Sequence, residues 1–524
     1  MTAPGTPPGA PRPPVVRVQG GTLQGQWGSE VAVFRGIPYA RPPVGALRLA
    51  PPEPAPPWEG TRRADTFGES PPQSLALGMA AEPDGLAEGT GDWLTVNVWT
   101  PDPAAGAGLP VLVWIHGGVY MIGTSDGPAY DGTELARRGT VVVTFNHRVG
   151  AEGYGQFEGA VPNRALFDQV AALRWVGENI AAFGGEPGRV TVFGESAGAG
   201  AIAALLAMPR AAGLFRRAVT QSVPGPFYGT DLAADIGSAV AAELAVAPTL
   251  AEVAAATPAA LRDAADTVLG GISRHEPRWG RAARARMPFA PVVDGDVLPC
   301  VPWEALRAGR SAGVELLCGH TRDETRLFTV LAGRLGRVTE EEAAATLAWF
   351  APDDAGRAAY RAGPAAADPT ALADLVLSDW LFRMPSLHLA EAHAEGAGTA
   401  YLYELTYEAP GLGGAPGACH GLDVPLVFGT LRSDIGTLLL GAEPPPAAAA
   451  LSARMAGAWT AFAATGDPGW PPYGARDRLT HVFDATSHTA PYPEEASRLI
   501  WSRHEFTAME PVPGAETGRA ARRP

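Results

Sequence analysis

The sequence predicts an α/β fold: a mostly parallel central sheet flanked by helices, with helical insertions. Three observations carry this. Residues 110–116, 140–146 and 189–193 are runs apolar on both faces, as strands buried inside a parallel sheet are. Residues 166–182 carry helical spacing between the second and third runs, and 197–208 read as a helix directly after the third. No fixed-period repeat and no long low-complexity linker interrupts the chain.

Taken in order, residues 1–14 are rich in Pro and Gly and are expected to form a disordered arm. They lack the apolar stretch of a secretory signal. Residues 15–18, 31–34 and 94–99 read as strands. The Ala-rich stretch 230–285 reads as helices, 314–317 as a strand, 338–395 as helices and 399–405 as a strand. An amphipathic helix is expected over 451–465, stopped by Gly466. A polar tail occupies 511–524, leaving 15–510 as a single catalytic domain.

The chain has 524 residues, 46% of them hydrophobic, which is ample for a large core. Forty basic against 55 acidic residues give a net charge of −15. Such a surface repels phosphate backbones and anionic headgroups, so neither nucleic acid nor membrane is expected as a partner. No residue is Lys, which excludes Schiff-base, pyridoxal-phosphate and Walker-A chemistry. The cysteines, Cys300, Cys318 and Cys419, are odd in number and lack CxxC spacing. That argues against a disulfide framework and a zinc site, and for a reducing, cytoplasmic compartment. No run of about 18 apolar residues is present. A monomer or weak homo-oligomer is expected.

The pattern G-x-S-x-G occurs around Ser125, Ser196 and Ser311. Only Ser196 has a strand before it and a helix after it, as a nucleophile elbow requires. Ser311 lies in a turn between a helix and a strand, and Ser125 in a Gly-rich loop. A serine hydroxyl needs a base, and the base an orienting carboxylate, in the chain order Ser, acid, His. The strand at 314–317 leads to two candidate acids, Asp323 and Glu324. His420 lies in a Gly-rich loop after the strand at 399–405, where a catalytic His belongs. His388 and His393 sit at helical spacing and read as surface residues. His116-Gly117-Gly118 ends the run at 110–116, where an oxyanion loop would supply N–H donors.

The whole pattern resembles the type-B carboxylesterase family, the carboxylesterase and cholinesterase-like α/β-hydrolases. The resemblance rests on Phe34-Arg-Gly-Ile-Pro-Tyr-Ala40, Leu94-Thr-Val-Asn-Val-Trp99, Asp168-Gln169, Phe193-Gly-Glu-Ser-Ala-Gly198, Gln221-Ser222 and Pro291-Val-Val-Asp-Gly295. It implies Ser196, Glu324 and His420 as the triad, with the N–H groups of Gly118, Val119 and Ala197 as oxyanion donors. It departs in three places. Trp93 stands where the family usually carries Cys, and 71–74 lack its partner, so the 74–92 loop must be held without that disulfide. Val119 replaces the third glycine of the oxyanion run, and His147 replaces a usual Tyr.

The expected function is ester hydrolysis through an acyl-enzyme, with no metal or organic cofactor. Phe227, Tyr228, Leu327 and Phe328 flank these segments and are candidate pocket residues. The alternatives are a catalytically silent interaction protein on the same fold, or a hydrolase of amides, carbamates or lipids.

Overall fold

The computed structural model describes residues 12–78 and 91–514. Its central sheet contains β1 (Gln26–Gly28), β2 (Val31–Pro38), β3 (Thr95–Thr100), β4 (Leu109–Ile115), β5 (Val141–Phe145), β6 (Gly185–Glu195), β7 (Arg217–Gln221), β8 (Glu315–Thr321), β9 (Ala400–Leu405), β10 (Leu479–Phe483) and β11 (His488–Pro491). Their spatial order is β1-β2-β3-β5-β4-β6-β7-β8-β9-β10-β11. Neighbours from β5 through β10 pair in parallel, and β1, β2, β3 and β11 add antiparallel edges.

The parallel centre follows from strands that are apolar on both faces. On one face Val111, Val113, Ile115, Val190 and Val192 join the core that includes residues of α1 (Arg164–Asn179) and α2 (Ala197–Ala207). On the other, Leu112, Trp114, Phe193 and Val219 pack with Leu451, Met455, Trp459 and Phe462 of a long C-terminal helix, Pro446–Thr465. Helix α2 is buried along its whole length, and its Ala and Gly residues let it lie close to the sheet. A Cβ at Gly198 would collide with the carbonyls of Ile115 and His116, so only Gly fits there.

Several expectations change. The strand at 15–18 forms, but in a separate small sheet with Gly21–Gln24 and Thr61–Arg63. The helical stretch 338–395 is broken into several pieces, the last a wide, π-type turn (Asp379–Arg383) running into α3 (Met384–Glu395). His388 and His393 are not on the surface. Both are buried in α3, because that helix packs against β8 and β9 and has little free face. The arm and tail fall mostly outside the described residues. Within the described parts, the carbonyl of buried Pro14 accepts from Gly25 N–H, and Val512 N–H donates to the Arg278 carbonyl. Among the described residues no helix is long and apolar enough to cross a membrane.

Candidate active site

Four adjacent parallel strands end on one edge of the sheet, where open α/β sheets place their sites. Glu195 at the end of β6 pairs with Gln221 at the end of β7, and Gln221 pairs with Gly319 in β8. This register sets Ser196 and Ser222 side by side and leads β8 into the turn that carries Glu324. The loop after β9 brings in His420.

Ser196 occupies φ 57°, ψ −126°, a strained conformation for a residue with a side chain. Its N–H donates to the Gln221 carbonyl (2.9 Å), and the strand-to-helix reversal follows immediately. A Cβ at Gly194 would meet the Ile115 carbonyl, so the elbow needs glycine on both sides of the serine. The Ser196 hydroxyl has no partner among the described residues and stays slightly exposed, at 8%.

Glu324 is fully buried, yet its pKa is lowered. Burial opposes ionisation, but His420, Ser222 and the Thr321 N–H outweigh it. Its Oε1 accepts from Ser222 Oγ (2.6 Å) and Thr321 N–H (2.9 Å), and its Oε2 lies 2.6 Å from His420 Nδ1. Asp323, the other candidate acid, instead accepts from Ala418 N–H (2.9 Å) and pairs with Arg322 and Arg326, pinning the His420 loop. His420 Nε2 lies 3.0 Å from Glu195 Oε1. Phe382, in the wide turn before α3, stacks on the imidazole at 4.1 Å between centroids, and Phe328 sits at 5.4 Å.

The oxyanion loop follows β4. Gly118 has φ 118°, and a Cβ there would strike the Ile122 carbonyl. The N–H groups of Met121 and Ile122 both donate back to Gly118 O. The N–H groups of Gly118 and Val119 have no backbone partner among the described residues, and that of Ala197 is a free donor of the first helical turn. Val119 (φ 54°) and Tyr120 (φ 60°) hold left-handed conformations, costly above all for a β-branched residue. A Cβ at Gly117 would press on Glu195 and Ser196, so this loop lies against the elbow.

The remaining predicted residues separate cleanly. Ser125 is buried among Asn97, Thr144 and Asn146, and Ser311 Oγ donates to the Leu206 carbonyl, so each holds a loop in place. Phe227 packs edge-on against Trp303, and the Tyr228 hydroxyl donates to the Met287 carbonyl. Both are buried core residues, as is most of Leu327, whereas Phe328 is 43% exposed beside His420. Sequence reasoning gave no role to Glu195, Ser222 or Phe382. The first two lay inside recognised motifs, and Phe382 carried no local signal. His147 stacks on His116, the residue that precedes Gly117-Gly118, at 4.4 Å between ring centroids. The stretch that begins at residue 74 is anchored by Asp266, which accepts from Ser74 Oγ, Leu75 N–H (2.9 Å) and Ala76 N–H (3.2 Å). Residues 79–90 of that loop lie outside the described residues. All three cysteines are free thiols.

The carboxylesterase family model matches residues 12–495. The para-nitrobenzyl esterase of Bacillus subtilis (strain 168) is 34% identical over 504 residues, covering 94% of this chain and 99% of its own. The fumonisin B1 esterase of Sphingopyxis macrogoltabida is 34% identical over 486 residues, covering 89% and 86%. A crystal structure of a Geobacillus stearothermophilus carboxylesterase superimposes with a TM-score of 0.81 at 34% identity, covering 93% of this chain and 99% of that one. The chain therefore belongs to the carboxylesterase family and is a serine carboxylic-ester hydrolase on the α/β-hydrolase fold.

Proposed function

We propose that Ser196 is the nucleophile, His420 the general base and acid, and Glu324 the carboxylate that orients it. The supporting observation is the 2.6 Å contact between His420 Nδ1 and Glu324 Oε2, at the sheet edge that also carries the strained Ser196. As an ester enters, His420 Nε2 takes the Ser196 proton while Oγ bonds to the carbonyl carbon. The N–H groups of Gly118, Val119 and Ala197 receive the oxyanion. The imidazolium then protonates the departing alkoxide, leaving an acyl-Ser196. Water, deprotonated by the same imidazole, releases the carboxylic acid and restores the hydroxyl.

The domain over 15–510 is read as one catalytic unit, acting on small esters as a monomer or weak homo-oligomer. The free thiols support a cytoplasmic setting. Phe328 and Phe382 against His420 favour esters with an apolar group on one side of the carbonyl. A panel of p-nitrophenyl and alkyl esters, with matched amides and carbamates, tests the reading. The value of kcat/KM should be highest for esters. Faster turnover of the amides would contradict it.

A further inference from the structure

A cavity of about 340 Å³ opens behind the wide turn, and its lining includes none of Ser196, Glu324 or His420. Its walls are Trp279, Trp349, Trp380 and Phe506, with Gly225 and Arg281 beside them. Trp349 is the wall ring that stays partly open, and Trp279, Trp380 and Phe506 lie almost wholly buried behind the lining. The volume falls within the range of small-molecule sites.

Arg281 gives the cavity its chemistry. The guanidinium is half-buried, and among the described residues its one hydrogen bond runs from Nε to the Trp349 carbonyl (2.6 Å). No carboxylate among the described residues forms an ion pair with it, including Glu505 and Glu510 on the rim, which are exposed. His504, also in the lining, is pushed down to about 4 by burial and by Arg281 itself, so it adds no charge at neutral pH. A fork of N–H donors that no carboxylate among the described residues engages, beside the partly open Trp349 ring, matches a carboxylate on an apolar body.

The geometry points to a second binding site at this cavity, for an aryl or branched-alkyl carboxylate. This is the chemical class of acid that ester hydrolysis releases, and the assignment rests on that activity. The cavity also adjoins the catalytic machinery. Gly225 N–H donates to the Leu381 carbonyl (2.9 Å), between Trp380 in the cavity wall and Phe382 on the His420 ring. An occupant pressing on Trp380 therefore acts one short segment away from the base.

The test titrates 2-naphthoate into the protein by calorimetry, with 2-naphthylmethanol as the neutral counterpart. The wild type is compared with Arg281→Gln and Arg281→Lys. The expected result is saturable binding of the acid, weakened about tenfold or more by Arg281→Gln and less by Arg281→Lys. The alcohol should bind weakly and equally to all three. Acid binding that is indifferent to Arg281, as product bound at Ser196 would be, overturns the proposal, as does binding that never saturates. Should Arg281→Gln fail to fold, Arg281→Lys and Trp349→Ala decide: unchanged affinity in both contradicts the site. Turnover of p-nitrophenyl acetate in the same preparations reports separately on the triad reading, since its loss on Ser196→Ala does not depend on this cavity.

Discussion

His420 Nε2 lies 3.0 Å from Glu195 Oε1, while Nδ1 lies 2.6 Å from Glu324 Oε2. A carboxylate beside each ring nitrogen favours the protonated form of the imidazole. Burial pulls the His420 pKa down, but Glu195 and Glu324 override it and raise the pKa well above the usual 6.5. Only the neutral imidazole can take the Ser196 proton, so the fraction of active enzyme depends on this pKa.

The first prediction follows from that charge balance. Activity, as kcat/KM, should climb with pH through the raised His420 pKa. Glu195→Gln removes one anionic partner, destabilises the imidazolium and lowers that pKa. The acidic limb should then move about 1 pH unit down. Profiles of kcat/KM from pH 5 to 10 for both proteins check this. An unmoved limb would mean that Glu195 is not the partner of Nε2 in solution.

The stacked His116 and His147 make the second. Burial, and for His116 its neighbour, push them down to about 3 and about 4, and both Nε2 atoms are buried without a partner among the described residues. Their folded pKa values lie below the unfolded 6.5, so the unfolded chain binds more protons on acidification. Their contribution is intact above pH 6.5 and is lost as pH falls from 6.5 toward 4. The His147 shift alone amounts to about 2 kcal/mol at pH 5. His147→Phe should therefore flatten the fall of Tm between pH 6.5 and 5. Parallel Tm curves for the two proteins would contradict this.

How much of this was legible follows from where each signal lies along the chain. The strands β4, β5 and β6 and the elbow at Ser196 are continuous local patterns, and the sequence carries them openly. Strand β7 carries no continuous apolar signal because Arg217 and Gln221 break its run, although all five residues are buried by their neighbours in the sheet. Strands β10 and β11 are short, partly exposed edge pieces with mixed side chains. The choice of Glu324 over Asp323 needed the family resemblance, since adjacent carboxylates differ only in which way the turn points them. The stacking of Phe382 on His420 and the anchoring of Ser74 by Asp266 are contacts across 38 and 192 residues, for which local spacing has no signature.

The Asp266 anchor supports a third prediction. It replaces the missing disulfide with hydrogen bonds to one carboxylate, which are individually weak. Asp266→Ala should release the Leu75 and Ala76 amides, accelerating their hydrogen exchange roughly tenfold or more. Unchanged protection at both amides would mean that the loop is held elsewhere.

Val119 gives a fourth. Its left-handed backbone is strained by about 1–3 kcal/mol, and Val119→Gly relieves that strain while removing a branched side chain from the oxyanion loop. We expect the variant to gain on tertiary-alkyl acetates relative to their primary isomers, because those are bulky beside the reacting carbon. The readout is the ratio of kcat/KM for the two esters. An identical ratio in both proteins would mean that the Val119 side chain points away from the substrate.

Ser196, alone among the three G-x-S-x-G serines, is the residue proposed to bond to the substrate. The most direct measurement is the turnover of p-nitrophenyl acetate by Ser196→Ala, beside Ser125→Ala and Ser311→Ala. Turnover by the first should fall about a million-fold in kcat. The other two should keep most of theirs, since their hydroxyls are engaged with Asn97 and with the Leu206 carbonyl. A Ser196→Ala enzyme that turns over at a rate near wild type, or a comparable collapse in Ser311→Ala alone, would contradict it.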